Sequence, residues 1–197
     1  MGARRGDDSD RVFVDAGCYN GAMRIIGLAG WSGSGKTTLL IKVIPRIVAR
    51  GLKVSTLKHA HHAFDVDRPG KDSHSHRMAG ASEVLVGSSA RWALVHELRG
   101  AAEPSLATLI QKLSPVDLVL VEGYKREPHP KLEVYRASVG KPLMHPDDPA
   151  IVAIASDAPL PAAQVPVVDI DDIERVADIL IRHAAPIAAV LAHAESR

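Results

Sequence analysis

Short apolar runs alternate with amphipathic stretches along this chain, and the alternation predicts an α/β layer fold built on a mostly parallel sheet. Arg24-Ile25-Ile26-Gly27-Leu28-Ala29 is apolar at almost every position, as expected of a central strand buried on both faces. Behind it, Leu39, Leu40, Val43, Ile44, Ile47 and Val48 recur in pairs every four residues, drawing one apolar face on a helix that Gly51 stops. Pro45 falls inside that helix, and because the apolar period continues past it the expectation is a kink and not a break. Further strands are predicted over residues 53–57, 116–121, 131–136 (with alternating polar and apolar positions), 150–155 and 166–170. Helices are predicted over 73–81, 105–113 and 171–183, the last opening on Asp171, Asp172 and Glu174 at the positive end of its dipole. The runs 83–87 and 91–96, joined by Ser88-Ser89-Ala90, read as a hairpin or a short edge extension.

One domain is expected over residues 23–185, since 197 residues suffice for a single well-buried core and hardly for two. Residues 1–22 are charged and glycine-rich and are expected to be a disordered appendage, with Met23 a candidate biological start directly before the first strand. Residues 186–197 are an Ala-rich tail, expected as a loosely held helix.

The first strand and first helix are joined by Gly30-Trp31-Ser32-Gly33-Ser34-Gly35-Lys36-Thr37-Thr38, a G-x-x-x-x-G-K-T loop in the strand-before, helix-after setting that gives the motif its meaning. Glycines let backbone N–H groups turn inward on a phosphate, and the helix adds its positive end. Gly30, Ser32, Gly33, Ser34, Gly35, Lys36, Thr37 and Thr38 are therefore nucleotide-binding candidates. Lys36 is placed to reach the β/γ-phosphates and Thr37 to ligate Mg²⁺.

A triphosphate cradle needs a carboxylate at the carboxyl end of a neighbouring parallel strand to hold the metal or its waters. Glu122, at the end of 116–121, meets that requirement, with a structural, turn-capping carboxylate as the other reading. Asp117 starts the same strand and belongs to the opposite edge. Lys36 and Glu122 are the candidate catalytic pair. For base selectivity the Asn/Thr-Lys-x-Asp guanine reader is missing; Asp157, after the 150–155 strand, is the substitute, with a turn-capping role as its alternative.

Composition narrows the setting. Lys and Arg number 24 against 23 Asp and Glu, without a basic run interleaved with aromatics, which disfavours nucleic acid as a main partner. The single cysteine, Cys18, excludes an internal disulfide and fits a reducing compartment. No apolar stretch approaches the ~20 residues of a membrane span, and the amino terminus is polar where a signal peptide would be apolar, so a cytoplasmic protein is expected.

Five of the ten histidines, His59, His61, His62, His74 and His76, crowd the segment after the second strand. That segment leaves the same sheet edge as the phosphate loop. His-x-His-His lacks the thiolate or Glu-x-x-His framing of a zinc site, so His59, His61 and His62 stand open between a transition-metal site, contact with a second ligand and structural hydrogen bonding. Asp65 and Asp67 are better candidates for a Mg²⁺ shell, because hard cations prefer oxygen. Arg68, Lys71 and Arg77 suit an anionic second substrate or a solvated basic face.

These segments together resemble one family, the molybdopterin-guanine dinucleotide biosynthesis adaptors of the MobB type. The resemblance is carried by the loop from Ala29 to Leu40, by Lys58-His59-Ala60-His61-His62, by Asp65-Val66-Asp67-Arg68-Pro69-Gly70-Lys71-Asp72-Ser73, by Arg77 with Ala79-Gly80-Ala81, by Arg91-Trp92-Ala93-Leu94, by Asp117 to Lys125 ending Val121-Glu122-Gly123-Tyr124-Lys125, and by Ala153-Ile154-Ala155-Ser156-Asp157. The combination of the His/Asp/GKDS segment with VEGYK is the specific part. The resemblance implies a P-loop NTPase-like fold with helices on both faces of the sheet and a homodimer whose sheet is extended across the subunits, with 83–96 a plausible dimer element. It also implies GTP and Mg²⁺ as cofactors, weak hydrolysis, molybdopterin as a possible bound ligand, and assistance to the guanylyltransferase MobA. A small-molecule kinase and a metallochaperone GTPase are the alternative readings of the same loop.

Overall fold

The computed structural model describes residues 23–60 and 64–194, so the expectation for residues 1–22 and those for His61 and His62 lie outside the described residues. The described residues fall into two compact units, residues 23–58 with 113–194 and the inserted residues 59–112.

The larger unit is a mostly parallel sheet. Its strands are β1 (Arg24–Ala29), β2 (Val54–Lys58), β5 (Leu118–Glu122), β6 (Lys131–Tyr135), β7 (Ile151–Ser156) and β8 (Val167–Asp169), in the order β2-β5-β1-β6-β7-β8. Strands β3 and β4 belong to the insert. Every pairing along this path is parallel, which requires the chain to cross over a face between strands. Helix α1 (Lys36–Ala49) makes one such crossover, between β1 and β2, and α4 (Ile173–His183), which follows β8, packs in the same core. Leu39, Leu40, Val43 and Ile47 of α1, with Val176, Ala177, Leu180 and Ile181 of α4, pack in one core with Ile26 and Leu28 of β1, Leu118 and Leu120 of β5, and Leu132 and Val134 of β6. Four of the six positions read from the spacing are the buried face of α1; Ile44 is partly buried and Val48 is exposed. Pro45 lies inside α1 without ending it, and α4 is capped as its acids suggested, the Asp172 side chain accepting from the Arg175 N–H.

The opposite sheet face is buried too, and at β6 this overrides the usual meaning of an alternating pattern. Lys131 and Glu133 are each 1% exposed. Burying a charge is costly unless it is paired, and both are: Lys131 Nζ donates to the Glu127 carbonyl at 2.6 Å and to Asp148 at 3.0 Å. Glu133 accepts from the Met144 and His145 N–H groups at 2.7 and 2.9 Å. His129, wholly buried beside them, packs against Gly27 so closely that a Cβ there would meet its Nε2 at 2.4 Å.

The tail needs a correction. Beyond α4, Ala185–Pro186 forms β9, antiparallel to the start of β1 through Arg24 with Pro186 and Ile25 with Ala185. The Ile187 N–H then donates to Met23, and Ile187 and Val190 of α5 (Ile187–Ala194) are buried. A domain boundary at 185 therefore cuts through a strand.

The insert contains α2 (Asp72–Met78), the hairpin of β3 (Glu83–Gly87) and β4 (Trp92–His96), and α3 (Leu106–Ile110), whose Ser105 cap accepts from the Thr108 N–H. The hairpin is a separate two-stranded antiparallel sheet, with Leu85, Val86, Trp92 and Leu94 exposed.

Candidate nucleotide site

The turn between β1 and α1 holds three glycines at positive φ, Gly30 (139°), Gly33 (82°) and Gly35 (91°). Gly30 is the tightest. A Cβ there would lie 2.5 Å from the Val134 carbonyl oxygen and 2.7 Å from Ser34 Oγ, so β6 backs the loop too closely for any side chain. The first turn of α1 carries no acid, and its Gly35 cap has no side chain to accept from the first N–H groups. Those donors face an open cavity of about 350 Å³ lined by Ser32, Gly33, Gly35, Lys36, Thr37, Thr38 and Glu122. A helix start with no capping side chain and no acid in its own first turn is a site for an anion.

Lys36 folds back over the loop, its Nζ donating to the carbonyls of Gly30 at 3.0 Å and Trp31 at 2.9 Å. Burial holds its pKa below the ordinary lysine value; Glu122 works against that shift, and Lys125 and Lys58 reinforce it. Glu122 ends β5, in register with Leu28 of β1 on one side and Lys58 of β2 on the other. Thr37 Oγ1 donates to its two oxygens at 3.0 and 3.2 Å, and Lys58 Nζ stands 3.6 Å away. Asp117, at the other end of the strand, accepts from the Lys53 N–H at 2.7 Å and is structural. The hydroxyl and carboxylate converging at the helix start are all-oxygen donors, the set a hard cation such as Mg²⁺ prefers, so the residues present fit that ion.

Comparison with known proteins gives this geometry a family. The sequence profile described as "Molybdopterin guanine dinucleotide synthesis protein B" (MobB) matches residues 25–157, two thirds of the chain, from the second residue of β1 to just past the end of β7. The chain belongs to the MobB family. It is 43% identical over 160 residues to the Escherichia coli protein named "Molybdopterin-guanine dinucleotide biosynthesis adapter protein", covering 80% of this chain and 91% of that one. The Haemophilus influenzae protein of the same name is 41% identical over 163 residues, with 82% and 89% covered. A solved MobB crystal structure superposes with a TM-score of 0.64 at 25% identity over 80% of this chain and 98% of its own. A MobB homologue from Bacillus stearothermophilus gives 0.57 at 26% identity, covering 80% and 95%.

Asp157, Asp65, Asp67 and His59, also expected at the site, each have partners of their own. Asp157 is held as a turn group: Oδ1 accepts from the Ala137 N–H at 2.9 Å and Oδ2 lies 3.5 Å from Arg136. Both oxygens that would read a guanine edge already have partners. Arg136 itself was not anticipated. Its Nε would stand 3.2 Å from a Cβ on Gly35, which places a guanidinium beside the helix start.

Asp65 and Asp67 lie in the insert, where Arg77 organises them. Asp65 accepts from Arg77 NH2 through both oxygens, at 2.9 and 2.8 Å, and from the Asp67 N–H at 2.9 Å. Asp67 Oδ1 takes the Arg68 N–H and the Ser73 hydroxyl. Arg77 also donates to Glu97 at 2.7 Å. Its pKa is raised by Glu97 and Asp65, and that of Asp65 is lowered by Arg77. These contacts fold the loop around the Arg77 guanidinium. His59 Nε2 is 2.7 Å from Glu103, and Arg68 and Lys71 are exposed. Among the described residues, no three His, Cys, Asp or Glu side chains gather in a way that could hold a metal. No described helix is long and apolar enough to cross a membrane.

Proposed function

We propose that this chain is a GTP-binding adaptor of weak GTPase activity that assists the guanylyltransferase MobA in converting molybdenum cofactor to molybdopterin guanine dinucleotide. The observation that carries the reading is the open phosphate cradle with Thr37 and Glu122 paired at its rim. Membership of a family whose relatives are named adapters of molybdopterin-guanine dinucleotide biosynthesis supplies the pathway. Thr37 and Glu122 would hold Mg²⁺, which when bound neutralises charge on the phosphates. Lys36 and the N–H groups of the loop orient the triphosphate. The preference for guanine is carried by the family relationship, since the Asp157 carboxylate is already bonded. The protein works in the cytoplasm as a homodimer, for which the exposed apolar side chains and unpaired edges of β3–β4 are a ready template.

The test is a binding assay of GTP, ATP and molybdopterin to the purified chain with and without Mg²⁺, followed by a coupled guanylyl-transfer assay with MobA. Mg²⁺-dependent binding of GTP in preference to ATP and stimulation of MobA are expected. Absence of nucleotide binding overturns the reading.

A further inference from the structure

Trp31, which follows the first glycine of the phosphate loop, is tied down by more contacts than a loop residue needs. Its indole Nε1 donates to the Pro142 carbonyl at 2.8 Å, fastening the loop to the segment after β6. Two ammonium groups converge on the same ring, Lys125 at 5.2 Å and Lys141 at 6.0 Å from its centroid. Both distances are within cation–π reach of an indole, the aromatic that holds cations best. The ring still remains 36% exposed.

Neither Lys125 nor Lys141 has a carboxylate partner among the described residues, whereas Lys42, Lys58 and Lys131 each have one. Lys125 is also near enough to Lys36 to help lower its pKa. Lys125 and Lys141 therefore crowd a single indole, and Lys125 stands close to Lys36 as well. Like charges so gathered repel one another unless an anion completes them. The cavity at the phosphate loop is lined by other residues, Ser32, Gly33, Gly35, Lys36, Thr37, Thr38 and Glu122, and not by Trp31, Lys125 or Lys141. The extra cations stand beside the cradle and outside it.

We infer that Trp31, Lys125 and Lys141 form a second anion subsite next to the phosphate cradle, one that takes the phosphate monoester of a phosphorylated heterocyclic substrate. The inference rests on the proposed function for the identity of that substrate. A dinucleotide joins two phosphates, so the pterin half brings a phosphate of its own to the reaction. Trp31 fixes the two ammonium groups, and these hold the pterin phosphate beside the bound nucleotide.

The chain has two tryptophans, so the full-length Trp92→Phe protein reports from Trp31 alone. A 6-alkylpterin phosphate monoester, its dephosphorylated counterpart and inorganic phosphate are titrated against this protein, with and without a non-hydrolysable GTP analogue and Mg²⁺. The monoester is expected to shift Trp31 fluorescence in the nucleotide-loaded protein, and the dephosphorylated pterin to bind at least tenfold more weakly. Adding Lys125→Gln with Lys141→Gln is expected to weaken the monoester at least tenfold while nucleotide affinity falls less than threefold. Lys53→Gln removes the same kind of charge at the start of β2, the opposite edge of the sheet, and is expected to leave the monoester unaffected. The inference is overturned if loaded protein takes no monoester at millimolar concentration, or if the double substitution weakens nucleotide and monoester alike. If the protein binds no nucleotide yet shows the lysine-dependent monoester response, the subsite stands and the nucleotide reading falls.

Discussion

Thr37 Oγ1 donates to both carboxylate oxygens of Glu122, at 3.0 and 3.2 Å, joining the first turn of α1 to the last residue of β5. The contact spans 85 positions in sequence, and the sheet order makes it possible by placing β5 directly beside β1. Glu122→Gln keeps the shape and removes the charge. Mg²⁺-dependent GTP hydrolysis, followed by phosphate release, is expected to fall at least about tenfold while nucleotide affinity changes much less. Unchanged hydrolysis would return Glu122 to a structural role.

Lys36 donates only to carbonyls of its own loop, so the fold does not depend on it. Lys36→Ala is expected to retain the circular dichroism spectrum of the parent and to lose GTP binding. A GTP affinity within about threefold of the parent, ~0.7 kcal/mol, would remove the cradle assignment.

The carboxyl-terminal segment is expected to matter for stability. β9 adds backbone bonds to the start of β1, and Ile187 and Val190 bury apolar surface. Truncation after Ala184 is expected to lower the melting temperature by several degrees, each buried side chain contributing on the order of 1.5–3 kcal/mol. An unchanged melting curve would restore the loosely held tail.

What could be read from the sequence is what local pattern controls. The phosphate loop, the apolar face of α1, the Asp172 cap and the hairpin each depend on residues a few positions apart, and each is found where the pattern puts it. Glu122 was reachable because a strand end next to a glycine is itself a local feature. The misses are non-local. The alternation in β6 suggests nothing of Lys131 and Glu133 lying buried, since their partners Asp148, Met144 and His145 come from a later loop. A two-residue strand containing a proline, as in β9, has no period to detect. Composition likewise cannot show that Arg77 stands between Asp65 and Asp67.

Gly27 and His129 form a second pair whose fit can be tested. A methyl group on Gly27 would meet His129 Nε2 at 2.4 Å and Cδ2 at 2.9 Å, inside any real Cβ contact. Gly27→Ala is expected to destabilise by about 1–3 kcal/mol through overpacking. In the His129→Ala background the same change should cost far less, and the double-mutant cycle measures the coupling. Additive effects would show that the imidazole is not what reserves the space at Gly27.

His129 also sets a pH dependence whose sign follows from its surroundings. It is 0% exposed and neither ring nitrogen has a hydrogen-bond partner among the described residues. Burial, with Lys131 reinforcing it and Asp148 opposing it, lowers its pKa from 6.5 to about 4. Between those values the unfolded chain takes up a proton that the folded chain refuses. Stability from this group is therefore complete above about pH 6.5 and is lost as pH falls toward 4, at up to ~1.4 kcal/mol per pH unit and roughly 3 kcal/mol in all. Carboxylates titrate near the lower end of the window, so the measurement is a difference. Urea unfolding of the parent and of His129→Leu at pH 7, 6 and 5 is expected to show the parent losing stability faster on acidification. The leucine, close in volume and with no nitrogen to protonate, should show the shallower slope. Parallel slopes would mean that the imidazole is already solvated or paired in the folded protein.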